Sequence, residues 1–161
     1  MTLASEQLAR LGLTLPPVPA PVAAYVPAVR VADLVYTSGQ LPTVEGRLRA
    51  TGRVGAEVDS EEAYACARVA VLNALAAAAE VAGDIDAIAR IVKMVAFVAG
   101  APGFTGHPQV ANGASDVLGE IFGGAGEHAR SAVGVASLPL GAPVEVELVV
   151  AVGAQPTIHP L

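Results

Sequence analysis

Three charged side chains interrupt the most strand-like part of the chain. In HARSAVGVASLPLGAPVEVELVVAVG, residues 128–153, small and branched apolar residues flank a turn-like LPLGA, and Arg130, Glu145 and Glu147 are set among them. A guanidinium holds a carboxylate through two parallel hydrogen bonds and stays charged when partly desolvated. A carboxylate beside a water accepts a proton as that water attacks carbon, then returns it to the departing group. Charges on otherwise apolar strands can therefore line a cleft for a small acid. The same residues also have structural readings, Arg130 in an interface salt bridge and the two glutamates on the solvated face of an edge strand.

The elements that must position them follow from local pattern. Residues 4–12 suit a short helix ending at Gly12, and LPPVPAP, residues 15–21, an extended connector. Strands are expected over 25–31 and 34–40, and TVEGRLRATGRVG reads as a glycine-punctuated loop. Ser60 suits an N-cap, with Glu61 and Glu62 in the first turn of a helix over 61–82 closed by Gly83. Ala63, Cys66, Val69, Ala70, Asn73 and Ala76 give that helix a narrow small-residue face for lying on a sheet, and Cys66 reads as a packing residue there. A strand over 88–100 and a helix over 108–122, weakened by Gly113, precede the last two strands. The order β-β-α-β-α-β-β, without repeat or second domain, predicts an α+β fold with a mixed sheet and its two main helices on one face.

Helices on one face leave the other to be covered. In the last strand Val144, Val146, Leu148 and Val150 point one way, and Glu145, Glu147, Val149 and Ala151 the other. That mixed second face, and a charged fraction of only 15% against 53% hydrophobic residues, suggest burial against copies of the same chain in a ring. If LPLGA closes a hairpin centred near Leu140, Glu145 pairs opposite Val135. At about 3.3 Å per residue Arg130 is then roughly 16 Å away, too far to share one small ligand with it. Arg130 and Glu145 are expected to meet across a subunit boundary.

Other classes are disfavoured. A net charge of −6, with no basic stripe, argues against a general nucleic-acid binder. The single cysteine, Cys66, allows no intrachain disulfide, and His107, His128 and His159 lack metal-ligand spacing, so they read as surface or loop histidines. MTLASEQLAR carries no signal-peptide segment, and no apolar run is of membrane-spanning type, which predicts a cytoplasmic protein.

Three blocks in order resemble the RidA (YjgF/YER057c/UK114) family, also known as endoribonuclease L-PSP. They are Tyr25 followed by VYTSGQLP (35–42), VKMVAFVAG (92–100), and ARSAVGVASLP with VEVELVVAV (129–139 and 144–152). The resemblance implies a chorismate-mutase-like fold over residues 25–154, after an N-terminal helix and connector (1–24) and before a tail (155–161). It implies a homotrimer with ligand clefts between subunits, no metal and no organic cofactor. The implied activity is hydrolysis of enamines and imines such as 2-aminoacrylate and 2-iminopropanoate to 2-keto acids and ammonia. Endoribonuclease activity, or a non-catalytic trimer that binds small carboxylates or shields unfolded proteins, are the alternatives.

Position by position, Arg130 falls at the family's carboxylate-binding arginine and Glu145 at the acid associated with the hydrolytic water. Tyr25, Ser38, Gly39 and Asn112 fall at cleft positions. Structurally, Tyr25 also reads as packing, TSGQ as a strand-to-turn signal and Asn112 as a helix cap. The chain departs from the family at Ala132, often cysteine, and at Gly134, often an acid, while the N-terminal helix, the PPVPAP connector and the longer PGFTGHPQVANGAS loop resemble a divergent longer subgroup.

Overall fold

The computed structural model describes residues 2–21 and 23–153, so the expected tail at 155–161 lies outside the described residues. In chain order it contains α1 (Ala4–Leu11), β1 (Ala28–Val31), β2 (Leu34–Thr37), β3 (Thr43–Val44), β4 (Arg47–Leu48), α2 (Ser60–Ala82), β5 (Ile88–Ala99), α3 (His107–Phe122), β6 (Ala129–Val135) and β7 (Val144–Val152). The fold is α+β, as the sequence predicts. Its main sheet has five strands in the order β1-β2-β7-β5-β6, with β5 and β6 parallel and the other pairs antiparallel. The expected loop at 43–55 contains the small β3–β4 hairpin, whose Glu45 and Gly46 both take positive φ (50° and 77°), the geometry of a two-residue turn.

α2 begins one residue earlier than expected. Asp59, not Ser60, is the cap: its backbone is extended and its carboxylate accepts the Glu62 N–H at 2.8 Å. Asp and Ser cap equally well, so sequence alone does not choose between neighbours. The buried face of α2 is also broader than predicted. Ala67, Val71, Ala74 and Leu75 join Ala63, Cys66, Ala70 and Ala76, while Val69 and Asn73 are half-buried. The Asn73 amide donates to the carbonyls of Leu41 (2.9 Å) and Thr43 (3.1 Å), tying α2 to the start of β3. By length and composition α2 could cross a membrane, but half of that apolar stretch is buried inside the fold.

The core lies between the sheet and α2 and α3. Val144, Val146, Leu148 and Val150 of β7 are buried beneath the helices together with Met94, Ala96 and Val98 of β5. Glu145, Glu147, Val149 and Ala151 alternate with them on the uncovered face, as the sequence pattern predicts. Alanine-rich α2 allows close approach. A Cβ on Gly113 of α3 would collide with the Tyr64 carbonyl oxygen, so this glycine permits α3 to lie against α2 rather than simply weakening the helix.

The expected β6–β7 hairpin does not form. β5 lies between the two strands, with Arg130 beside Met94 and Met94 beside Leu148. Glu145 is opposite Phe97, not Val135. The reason is the β5-α3-β6 order: a strand, helix and strand form a crossover, which makes β6 parallel to β5 at the sheet edge. The residues between β6 and β7 then bridge the end of β5, held by Ala99 N–H to the Pro143 carbonyl and by Gly52 N–H to the Gly141 carbonyl, both at 2.9 Å.

Candidate functional site

Arg130 rises from the helix-covered side of the sheet. Residues paired across a ladder share a face, and its partners Met94 and Leu148 are buried under the helices. Because β6 is the edge strand, the guanidinium reaches α3 while remaining exposed. There Nη1 donates to Asn112 Oδ1 at 2.7 Å and to Ser115 Oγ at 3.2 Å, two acceptors spaced i, i+3 on one helix face. Nη1 is thereby committed. Nε and Nη2 have no hydrogen-bond partner among the described residues, and that edge is the one able to take a carboxylate through two parallel bonds.

Ser115 also lies 3.0 Å from Nε2 of His128, whose Nδ1 is 2.6 Å from the Gly126 carbonyl oxygen. These groups border an open recess of about 360 Å³ that Arg130 lines with Gly119 and Gly123. Ser115 was not singled out from sequence, and His128 was read there only as a surface or loop histidine. One signal was available, since residues 128 and 130 share strand parity, but which face of α3 meets β6 was not visible.

Glu145 belongs to the opposite face of the sheet and is half-buried. Burial, and secondarily the charge of Glu147, push its carboxyl above the ordinary carboxylate range. Its carboxylate has no hydrogen-bond partner among the described residues of its own chain. Gly39 is pressed against it: a Cβ there would collide with Glu145 Oε1. The TSGQ turn is brought to this point by Gln40, whose backbone exchanges hydrogen bonds with Val146 at 2.8 and 3.0 Å.

The Ser38 hydroxyl donates to the Val26 carbonyl at 2.6 Å, while its N–H donates to the Pro27 carbonyl at 2.7 Å. These bonds fix the segment carrying Tyr25, which is exposed and precedes β1, so the expected strand over 25–31 begins only at Ala28. The strand expected over 34–40 ends at Thr37 for the same reason: the backbone leaves the ladder to make this turn. The six candidate residues thus fall into two groups. Tyr25, Ser38, Gly39 and Glu145 gather around the TSGQ turn, and Asn112 and Arg130 at the β6 edge.

Three further observations bear on the chemistry. Cys66 is fully buried and its thiol is pushed up to about 11, mainly by that burial and further by Glu62, so it is poorly suited as a nucleophile. At Gly134 a Cβ would meet His107 Nε2 at 2.6 Å, so the first turn of α3 fills the space of a side chain there. The His107 ring is itself held edge-on to Phe104, with centroids 5.3 Å apart. No cluster of three or more His, Cys, Asp or Glu among the described residues is placed to hold a metal ion.

Residues 5–152 match the model of a family described as "YjgF/chorismate mutase-like, putative endoribonuclease". The chain belongs to the YjgF family. It is 43% identical to protein TCP17 of Trypanosoma cruzi over 91% of this chain and 92% of that one. Among solved structures it resembles Atu1372 of Agrobacterium tumefaciens, described as of unknown function, with 40% identity, 94% of each chain covered and a TM-score of 0.85. It also resembles E. coli TdcF with bound serine, with 26% identity, 85% of this chain and 94% of that one covered, and a TM-score of 0.62. The family match takes in nearly all of α1 and the proline-rich connector as well as the sheet.

Proposed function

We propose that this YjgF-family protein hydrolyses small 2-imino acids and their enamine tautomers, of the 2-iminopropanoate and 2-aminoacrylate type, to 2-keto acids and ammonia. The observation that carries the reading is the Arg130 guanidinium, anchored on α3 through Nη1 with its Nε–Nη2 edge left open. The serine in TdcF supports it, because an amino acid offers the same carboxylate. In the proposed homotrimer Arg130 of one subunit faces the Gly39–Glu145 turn of the next, so that each cleft is lined by both groups.

The chemistry then balances with protein groups and water alone. Arg130 fixes the substrate carboxylate and orients the C=N carbon. Glu145 accepts a proton from water as its oxygen attacks that carbon and passes it to the imine nitrogen, giving a neutral carbinolamine. Its raised affinity for protons then suits it to take the carbinolamine hydroxyl proton and deliver it to nitrogen as C=O forms, the C–N bond breaks and ammonia leaves. Gly39 allows the reacting centre to approach the carboxylate closely. RNA cleavage, the activity named in the family description, is the second reading, and the net charge of −6 counts against it.

Hydrolysis of freshly generated 2-iminopropanoate decides between them. The parent protein is expected to accelerate it, and Arg130→Ala to lose most of the acceleration while remaining folded. Arg130→Lys recovers only part, because an ammonium keeps the charge without the planar two-bond grip. Glu145→Gln is expected to keep pyruvate binding and to slow turnover by about 100-fold, the usual scale of a lost general acid/base. Near-normal rates in folded Arg130→Ala reject the mechanism, and RNA cleavage by contaminant-free protein without imine hydrolysis replaces it.

A further inference from the structure

Every hydrogen bond behind Arg130 has a fixed direction. Arginine has only donors, so Nη1 must donate and Ser115 Oγ must accept at 3.2 Å. At the other end the Gly126 carbonyl can only accept, so the His128 nitrogen 2.6 Å from it, Nδ1, carries a proton. In the neutral ring Nε2 is then an acceptor, and it faces the Ser115 hydroxyl at 3.0 Å. The one proton of that hydroxyl goes to His128, which turns the oxygen lone pairs toward Arg130. The chain therefore runs from Arg130 to Ser115, to His128 and to the Gly126 carbonyl.

Its far end is rigid. Gly126 is buried, and a Cβ there would collide with the Leu118 carbonyl of α3. His128 is half-buried immediately before β6, so the histidine, the serine and the arginine join the strand edge to the helix it packs on. Asn112 alone would leave the guanidinium free to swing about a single bond, whereas the second acceptor fixes its plane. A planar group that must meet a carboxylate through two parallel bonds loses affinity when its orientation is not set in advance.

We propose that Ser115 and His128 are positioning residues for Arg130, with His128 acting only through Ser115 to hold the open Nε–Nη2 edge ready for a carboxylate. The proposal rests on the carboxylate-anchoring role of Arg130 given above and adds two residues to that site. Two measurements test it separately from that role. In the first, pyruvate binding to the assembled protein is followed by calorimetry. Ser115→Ala is expected to raise Kd by about tenfold, the scale of one hydrogen bond to a charged group. Ser115→Thr, which keeps a hydroxyl, restores most of the affinity, and His128→Leu weakens binding less than Ser115→Ala does.

The double variant is expected to bind no worse than Ser115→Ala, because the histidine has nothing left to act through. Where the parent hydrolyses the imine, the single variants raise KM and leave kcat within about twofold. Additive losses in the double variant, or an unchanged Kd in folded Ser115→Ala, overturn the proposal. The second measurement is the ¹⁵N spectrum of the His128 ring without ligand. A proton on Nδ1 and a hydrogen-bonded acceptor at Nε2 are expected, with the Nε2 signal moving in Ser115→Ala. A ring protonated on Nε2 alone overturns the proposal. If the parent binds no pyruvate, the anchoring role of Arg130 falls, and the ring spectrum alone decides whether the chain of bonds exists.

Discussion

Arg130 and Glu145 stand on opposite faces of one sheet. Arg130 is in register with Met94 and Leu148 under the helices, whereas Glu145 is in register with Phe97 on the uncovered side. With two strand spacings and three residues between them, their backbones are roughly 14 Å apart. One chain cannot bring both to one small ligand. Distance and opposed direction together favour a cleft completed by a second copy.

That geometry predicts complementation. Arg130→Ala and Glu145→Gln subunits, each nearly inactive alone, are unfolded together and refolded as mixed assemblies. A cleft that takes Arg130 from one subunit and Glu145 from its neighbour is intact in about one quarter of random pairings, and activity is expected to return toward that fraction of the parent. Hybrids no more active than their parents would sink the shared cleft.

Gly39 is predicted to be required for geometry rather than folding. Its substitution by alanine places a methyl group on Glu145 Oε1, and the flexible glutamate arm can swing aside. Gly39→Ala is therefore expected to cost less than about 1 kcal/mol in urea unfolding. Imine hydrolysis should fall by at least about tenfold as the carboxylate leaves the water it activates. Full activity in Gly39→Ala would separate this contact from catalysis.

The raised carboxyl of Glu145 gives a pH signature. The folded chain holds this proton more tightly than the unfolded chain, since burial and Glu147 oppose the charge. Below the unfolded-state value both states are protonated and there is no penalty. Above the raised folded-state value both are ionised and the folded state carries the whole penalty. This contribution to stability thus falls as pH rises between the two. Glu145→Gln is expected to gain stability relative to the parent across that window and to keep the gain at neutral pH. A stability difference independent of pH would assign the effect to packing.

Cys66 provides a control. Its thiol, buried and pushed up to about 11, holds almost no thiolate at neutral pH. Cys66→Ala is expected to retain hydrolysis and to change stability by about 1 kcal/mol. Native protein should react with iodoacetamide only as fast as it unfolds. Rapid alkylation that abolishes activity would contradict both expectations.

Much of the site was legible because it depends on local pattern. Alternation alone placed Glu145 and Glu147 on one face of β7 and Val144, Val146, Leu148 and Val150 on the other. The pairing of β6 was not legible from LPLGA, since a turn signal marks a reversal without saying whether another strand intervenes. Two features pointed to the intervening strand. From Met94 to Ala99 β5 is apolar on both faces, as central strands are, and a helix separates it from β6. Ser115 escaped notice and His128 was read only as a surface or loop histidine for a related reason: their shared contact exists only once α3 is laid against the β6 edge.

Gly113 was misread in the same way, and it gives the last prediction. In an isolated helix Gly113→Ala would be favourable by about 0.5–1 kcal/mol. In this fold the new methyl group meets the Tyr64 carbonyl, a backbone atom of α2 that cannot rotate away. The helices must separate, at the cost of about 1–3 kcal/mol usual for overpacking, which outweighs the propensity gain. The strain is expected to reach the site, because Asn112 is the next residue and holds Arg130 by a 2.7 Å bond. Gly113→Ala should therefore unfold at lower urea and bind pyruvate more weakly, with the loss concentrated in Kd. A variant as stable as the parent would show that α3 can shift along α2 freely, and unchanged pyruvate binding in a destabilised variant would uncouple the helix contact from the arginine.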